Sequence, residues 1–148
     1  MTALRQFVPA DAGTIQKHQY PDMTAGEIER MIADWNRGVY ENRRFEMLAV
    51  IEDGQITGCA SLTERSQNVV SFGIEIFAEE RRKGIASNAM PLLLEKAKEA
   101  GYSVVLDQVR TDNAASIRLH EAFGFETDGY VYRNKRDRDV VLYLKLLI

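Results

Sequence analysis

The pattern of apolar and polar positions divides the chain into strand-like and helix-like segments. Runs of β-branched and aromatic residues predict strands at residues 4–8, 45–51, 55–63, 69–77, 103–110, 125–134 and 140–146. Apolar residues at helical spacing predict helices at residues 12–18, 24–37, 85–100 and 113–124. The predicted element order is therefore β-α-α-β-β-β-α-β-α-β-β.

The connections between these segments predict the topology. The hairpin signal Asp53-Gly54 and a second short turn join the strands within 45–77 into an antiparallel meander. The strand at 69–77, the helix after it and the strand at 103–110 form a crossover unit, so these two strands should be parallel. We therefore predict an α/β (α+β) fold with a mixed, mostly antiparallel central sheet and helices on both faces. Ligands of such sheets bind beyond the carboxyl ends of strands, where neighbouring strands diverge.

Composition limits the classes of function. The 148 residues suffice for a single domain, residues 1–148, and the net charge of −3 disfavours nucleic acid as a partner. The only cysteine, Cys59, excludes an internal disulfide and has no His or carboxylate beside it, so we interpret it as a packing residue. No segment has the length and apolarity of a membrane span or signal region, which makes a cytoplasmic location the default expectation. No His/Cys cluster has metal-ligand spacing.

A basic turn between a predicted strand and a predicted helix is the first candidate for chemistry. It reads Glu-Glu-Arg-Arg-Lys-Gly-Ile-Ala-Ser-Asn-Ala from Glu79 to Ala89. The first N–H groups of a helix have no partner within it, and the helix dipole adds positive charge, so such a turn can bind phosphate. Gly84 would let that ligand approach the backbone closely. A helix start that merely carries surface basic residues explains the same stretch equally well.

The second motif is Asn113-Ala-Ala-Ser-Ile-Arg-Leu-His-Glu-Ala-Phe-Gly-Phe125, in which Asn113 should cap a helix and Gly124 should end it. Together with the spacing Arg81-x-x-Gly84-x-Ala86, it resembles the GNAT superfamily of acetyl-CoA-dependent N-acetyltransferases. The form Ser-Ile-Arg-Leu-His-Glu-x-x-Gly-Phe is most similar to the phosphinothricin-type branch. Motif order and element order agree with that family over nearly the whole chain, so the resemblance implies a GNAT-type sheet.

The resemblance implies acetyl-CoA as the cosubstrate and no metal. The basic turn would hold its pyrophosphate, through Arg81, Arg82, Lys83, Gly84, Ile85, Ala86 and Ser87. The main chain of Ile76, Phe77 and Ala78 would pair with the pantetheine arm, and a backbone N–H there would polarise the thioester carbonyl. Asn113 and Ser116 would contact the arm or the phosphates.

Two side chains are candidates for proton transfer. His120 lies where the family more often has Tyr, near the thioester sulfur, and would be the acid that protonates the leaving thiolate. A helix histidine that only packs or caps is the alternative. Glu75, three residues before Ala78, would take the proton of the acceptor amine through water, unless it only faces solvent. Asp107, where a Leu is expected, would bond either the acceptor amine or a neighbouring backbone group.

We therefore predict an enzyme, an N-acetyltransferase (acyltransferase) that moves the acetyl group of acetyl-CoA directly to a primary amine of a small or amino-acid-like acceptor. The alternatives are acetylation of a protein's N-terminal amine, as in ribosomal-protein acetyltransferases, and a non-catalytic acyl-CoA-binding sensor. The expected partner is a small-molecule amine, with no nucleic acid and no membrane. The strand predicted at 140–146 is apolar enough to pair with a second copy of the chain, so a homodimer is possible.

Overall fold

The computed structural model describes residues 1–148 and contains one sheet with helices on both sides. The strands are β1 (Thr2–Gln6), β2 (Val39–Tyr40), β3 (Arg43–Glu52), β4 (Gln55–Glu64), β5 (Val69–Ile76), β6 (Val104–Arg110), β7 (Tyr132–Arg133) and β8 (Asp139–Leu146). The helices are α1 (Ala12–His18), α2 (Ala25–Trp35), α3 (Ile85–Glu99) and α4 (Ala114–Ala122). Short 3-10 turns occupy Pro9–Asp11 and Ala78–Glu80.

The sheet has the order β1-β3-β4-β5-β6-β8-β7, and β2 pairs with the outer part of β3. Every neighbouring pair is antiparallel except β5 and β6, which are parallel across the crossover helix α3. The predicted fold class, a mixed and mostly antiparallel sheet, is confirmed. The crossover unit is what places the start of α3 beyond the carboxyl end of β5.

The predicted strand at residues 125–134 is mostly wrong. Only Glu126, which bridges to Leu144, and the two residues of β7 pair with β8. Between them, the Thr127 hydroxyl accepts from the N–H of Gly129, and the Asp128 carboxylate accepts from the N–H of Tyr130. These local side-chain bonds compete with strand pairing and turn the chain away from the sheet.

The core forms on both faces of the sheet because side chains alternate along each strand. On one face, α3 and part of α4 cover residues such as Val50, Leu62 and Val105. On the other face, α1 and α2 cover Ala49 and Cys59. The prediction of helices on both faces is therefore confirmed, and Cys59 contributes to packing as expected.

The parallel pairing of β5 and β6 is short. It joins Val69, Val70 and Ser71 to the first three residues of β6 and then stops, although both strands continue. Beyond Ser71 the two strands diverge. In the antiparallel ladder of β5 with β4, successive N–H groups point alternately toward and away from β4, and those of Ile74 and Ile76 point away from it, toward the open side. The sheet therefore has a wedge-shaped opening between its two parallel strands.

A bulge and a glycine fix the end of β5 next to this opening. Thr57 is the additional residue of a bulge in β4, and its carbonyl accepts from the N–H of Phe77 at 2.8 Å. Gly58 beside it lies so close to β5 that a Cβ would come within 2.2 Å of the Glu75 carbonyl oxygen and 2.9 Å of the Ile76 Cα. Only glycine permits this approach of the two backbones.

We expect Gly58→Ala to lower the free energy of unfolding by about 1–3 kcal/mol, because the atoms that the methyl group meets are backbone atoms and β4 must separate from β5. Chemical denaturation followed by circular dichroism measures the change. Gly26→Ala in α2 is the matched control, since a Cβ at that residue would have nothing within 4 Å of it. That control should leave stability unchanged or raise it by about 0.5–1 kcal/mol. A Gly58→Ala protein as stable as the parent would show that the contact is not a constraint.

Candidate active site

A cleft of about 420 Å³ occupies the opening between β5 and β6. One wall is formed by β4 and β5, and the other by the second half of β6 and the start of α4. The loop before β8 contributes Arg136. Four candidate residues of the sequence analysis, Glu75, Asp107, Asn113 and Ser116, line this cleft together, whereas His120 is not part of its lining.

Asn113 begins α4 as predicted. Its side-chain oxygen accepts from the N–H of Ser116 at 3.1 Å, which satisfies one of the free donors in the first helical turn. The cap holds the start of α4 against the cleft and places Asn113 and Ser116 on the same wall.

His120 is bound through both ring nitrogens. Its Nδ1 lies 2.7 Å from the Ser116 carbonyl oxygen, and its Nε2 lies 2.9 Å from Oδ2 of Asp107. The ring is packed among Phe72, Phe125 and Tyr143, and the side chain is 4% exposed. Burial acts to lower the pKa of His120, but the bonds to Asp107 and Ser116 outweigh it and raise that pKa above its ordinary value.

Asp107 connects this histidine to the cleft. Its side chain is 22% exposed and lines the cleft, whereas His120 lies behind it. Burial raises the pKa of Asp107, and the hydrogen bond from His120 opposes that shift only in part. The sequence suggested an acceptor amine or a neighbouring backbone group as the partner of Asp107. The structure adds a side-chain pair with His120, and a backbone hydrogen bond from Gln108 also acts to lower the pKa of Asp107. Contact with an acceptor amine stays a prediction.

The basic turn has the features of an anion site. The N–H groups of residues 82–87 donate no hydrogen bond within the protein. Gly84 stands before α3 with φ of 77° in the left-handed region, and its Cβ position has nothing within 4 Å. These consecutive donors therefore face open space at the positive end of α3.

The basic side chains of this turn divide into two groups. Arg81 folds back, and its Nε donates to the Ile76 carbonyl oxygen at 2.9 Å, while Lys83 pairs with Glu80 at 2.9 Å. Arg82 has no carboxylate within 4 Å. The structure thus gives Arg81 a role in closing the end of β5, which the sequence did not indicate.

Some of the backbone hydrogen-bonding groups from Ile76 to Ala78 already have partners within the protein. The Ile76 carbonyl binds Arg81, and the Phe77 N–H binds the Thr57 carbonyl on the side of β4. The Phe77 ring is buried and stacks on His18 with 4.4 Å between ring centroids, and Ala78 begins a 3-10 turn. The alternation of the ladder directs the N–H of Ile76, one of the predicted backbone donors, toward the opening.

The side of the cleft that contains Glu75 carries charges of both signs. Glu75 is exposed, and its register partner on β4 is Cys59. Burial raises the pKa of Tyr20, and this shift is increased by Cys59 and Glu75 and opposed by Arg136. Burial also raises the pKa of the Cys59 thiol to about 12. A thiol in that state is a poor nucleophile at neutral pH.

Arg136 is the residue that sequence reasoning missed. The loop of residues 135–139 has the composition of a solvated hairpin tip. In the structure, Asn134 Oδ1 accepts from the N–H groups of Arg136 and Arg138, each at 3.0 Å, and this fixes the loop. Arg133 pairs with Asp137 and Asp139, whereas Arg136 has no carboxylate within 4 Å and lines the cleft. No local pattern in the sequence distinguishes these arginines.

The fold is characterised by a mixed sheet that opens between two parallel strands and by a crossover helix whose first N–H groups have no partner within the protein. The family model described as the acetyltransferase (GNAT) family matches residues 12–125. The chain therefore belongs to this family. None of its helices combines the length and apolarity needed to span a bilayer.

Known proteins support the same assignment. The chain is 31% identical over 94 residues to the L-methionine sulfoximine/L-methionine sulfone acetyltransferase of Salmonella typhimurium, covering 58% of this chain and 55% of that protein. It thus spans about half the length of such curated relatives. A probable acetyltransferase of known crystal structure has a TM-score of 0.86 at 23% identity, over 98% of this chain and 92% of that one. A putative acetyltransferase from Salmonella typhimurium, solved with its cofactor acetyl-CoA, has a TM-score of 0.74 at 18% identity, over 100% and 95% of the two chains.

Proposed function

We propose that this protein is an N-acetyltransferase that moves the acetyl group of acetyl-CoA directly to the primary amine of a small, amino-acid-like acceptor. The observation that carries the proposal is the cleft between β5 and β6, with an anion site beyond the end of β5 and charges of both signs on its other face. Membership of the acetyltransferase family and the resemblance to an enzyme named for methionine derivatives support it.

The residues present fit the cofactor. The free N–H groups of residues 82–87, with the unpaired Arg82, suit a pyrophosphate, and Gly84 leaves room for it. Asn113, Ser116 and the open edge of β5 suit the polar arm that follows. Acetyl-CoA, when bound, supplies the activated acetyl group.

The acceptor would enter on the face that carries Glu75 and Arg136. An amine attacks only after it loses its proton, and Glu75 is the cleft carboxylate exposed to solvent that would take it, directly or through water. Arg136 would bind a carboxylate of the acceptor, because a guanidinium without an ion-pair partner suits that group. Transfer would be direct, since the only cysteine has a strongly raised pKa.

Two alternative functions would give different results in the tests of acetyl-CoA binding and turnover. Acetylation of a protein's N-terminal amine would make a peptide the preferred acceptor, and a non-catalytic sensor would bind acetyl-CoA without turnover. Dimerisation stays a prediction, for which Leu144 and Leu146 on β8 supply exposed apolar surface.

The first test concerns the anion site. We expect Gly84→Ala to weaken acetyl-CoA binding at least about tenfold in a calorimetric titration, because a methyl group would stand in front of the helix donors. Gly129→Ala is the matched control, since Gly129 also has φ of 77° and nothing within 4 Å of its Cβ position. Both variants carry about 1–2 kcal/mol of backbone strain. Equal affinities in the two variants would contradict the assignment of the basic turn.

The second test identifies the acceptor. Release of the coenzyme A thiol is measured with amino acids, amino acid amides, polyamines and short peptides, each against a blank without enzyme. We expect turnover of amino acids, and we expect Arg136→Gln to raise their KM about 10- to 100-fold without changing the KM of the amides. Arg138→Gln, in the same loop and with the same loss of charge, should have no effect. Turnover of peptides alone would favour acetylation of a protein's N-terminal amine. No turnover of any acceptor, with acetyl-CoA binding intact, would favour the non-catalytic sensor.

The third test concerns the base. Glu75→Gln should lower kcat about 100-fold and remove the acidic limb of the pH–rate profile, because the amide cannot accept the proton. Glu79→Gln removes a nearby carboxylate that pairs with His18 instead of lining the cleft, and it should leave the profile in place. An unaltered profile in Glu75→Gln would exclude Glu75 as the base.

A further inference from the structure

The contacts of His120 determine how many protons it carries. Two atoms of Ser116 lie near Nδ1, the carbonyl oxygen at 2.7 Å and the hydroxyl oxygen at 3.4 Å. The carbonyl oxygen is much closer and can only accept, so this contact favours a proton on Nδ1. The 2.9 Å contact between Nε2 and Asp107 then requires one further proton between those two atoms. That proton is either on Nε2 beside a carboxylate or on the carboxyl group beside a neutral ring. In both forms the pair holds one shared proton.

The surroundings make this proton difficult to remove. Three aromatic rings enclose His120, and without the shared proton a carboxylate would face the lone pair of Nε2 in a nearly dry site. Only Asp107 reaches the cleft, because its side chain is 22% exposed whereas that of His120 is 4% exposed. The shared proton can therefore leave toward the cleft through Asp107.

We propose that Asp107 is the acid of this site, which delivers the shared proton to the leaving sulfur, and that His120 is a positioning residue which holds that proton ready. This inference rests on the proposed acetyl transfer. As the carbon–sulfur bond breaks and the carbon–nitrogen bond forms, Asp107 gives one proton to the sulfur. The acceptor ammonium loses two protons overall, one before attack and one as the amide forms. The pair regains a proton from water, and one proton is released to solvent per turnover.

Other charges near the pair are few. Tyr143 faces the ring from β8, and burial, followed by the carboxylate of Glu121, raises the pKa of its phenol. The Lys145 ammonium lies against Gly124 at the end of α4. Arg110, which also lines the cleft, is paired with Asp112 at 2.7 Å. The pKa values of both Asp107 and His120 are raised, which is the direction expected for a pair that retains its shared proton to higher pH than the separate groups would.

The experiment first uses the protein without ligands. Nitrogen-15 NMR of the His120 ring should show both nitrogens bonded to hydrogen at neutral pH, or Nε2 in exchange with Asp107, and titration above the ordinary histidine value. In Asp107→Asn the ring should titrate below the value of the parent, because the burial cost remains while the carboxylate is lost. A ring in the parent that titrates near 6.5, or at the same pH as in Asp107→Asn, would overturn the shared proton even if no acceptor is turned over.

Kinetics then test the role of the proton. The kcat of the parent should fall at alkaline pH, and Asp107→Asn should lower kcat about 100-fold or more and abolish that alkaline limb. His120→Gln keeps the carboxyl group, so it should move the limb to a different pH. Glu121→Gln, one residue along α4 from His120, is the control that should leave kcat and the limb unchanged. An Asp107→Asn enzyme with the parent kcat and limb would exclude Asp107 as the acid, whereas absence of turnover in the parent would refute the acetyl transfer itself.

Discussion

The divergence of β5 and β6 after three residue pairs is the constraint on which the rest of the site depends. Two parallel strands that separate leave backbone donors and acceptors without partners, and a protein tolerates this only where water or a ligand satisfies them. The opening also exposes side chains of both sheet faces to a single cleft. Glu75 reaches it from the face of α1 and α2, and Asp107 reaches it from the face of α4. An unbroken sheet would keep these two carboxyl groups apart.

Local devices hold the opening in place. The bulge at Thr57 and the close approach of Gly58 fix the last residues of β5, and Arg81 binds the carbonyl of Ile76 as the chain leaves the strand. The left-handed Gly84 then begins α3 with its donors free. All of these features fix the backbone around the end of β5 and the start of α3, so together they determine the shape of the site that a ligand would meet.

The sequence predicts the parts of this arrangement that local chemistry determines. The crossover unit, the cap at Asn113 and the glycine before α3 each have a short-range signature, and the structure confirms those elements. Contacts between distant residues have no such signature. The pairing of Asp107 with His120 depends on how α4 lies against β6, and the position of Arg136 depends on a loop held by Asn134. The strand predicted at 125–134 failed because polar side chains bond their own backbone there, a competition that apolar periodicity does not register.

The two carboxyl groups of the cleft have environments that suit opposite tasks. Glu75 is exposed to the solvent of the cleft, where it can exchange protons with water, as a base in the proposed reaction must. Asp107 is largely buried and, in the proposed arrangement, shares a proton with His120, whose ring packs among three aromatic side chains. Such an arrangement supplies a proton. In the proposed mechanism, environment therefore separates base from acid although the two residue types are nearly the same. In this mechanism His120 contributes although it lies outside the cleft. Its role is to keep a proton on Asp107, and contact with the reacting atoms is not required for that role.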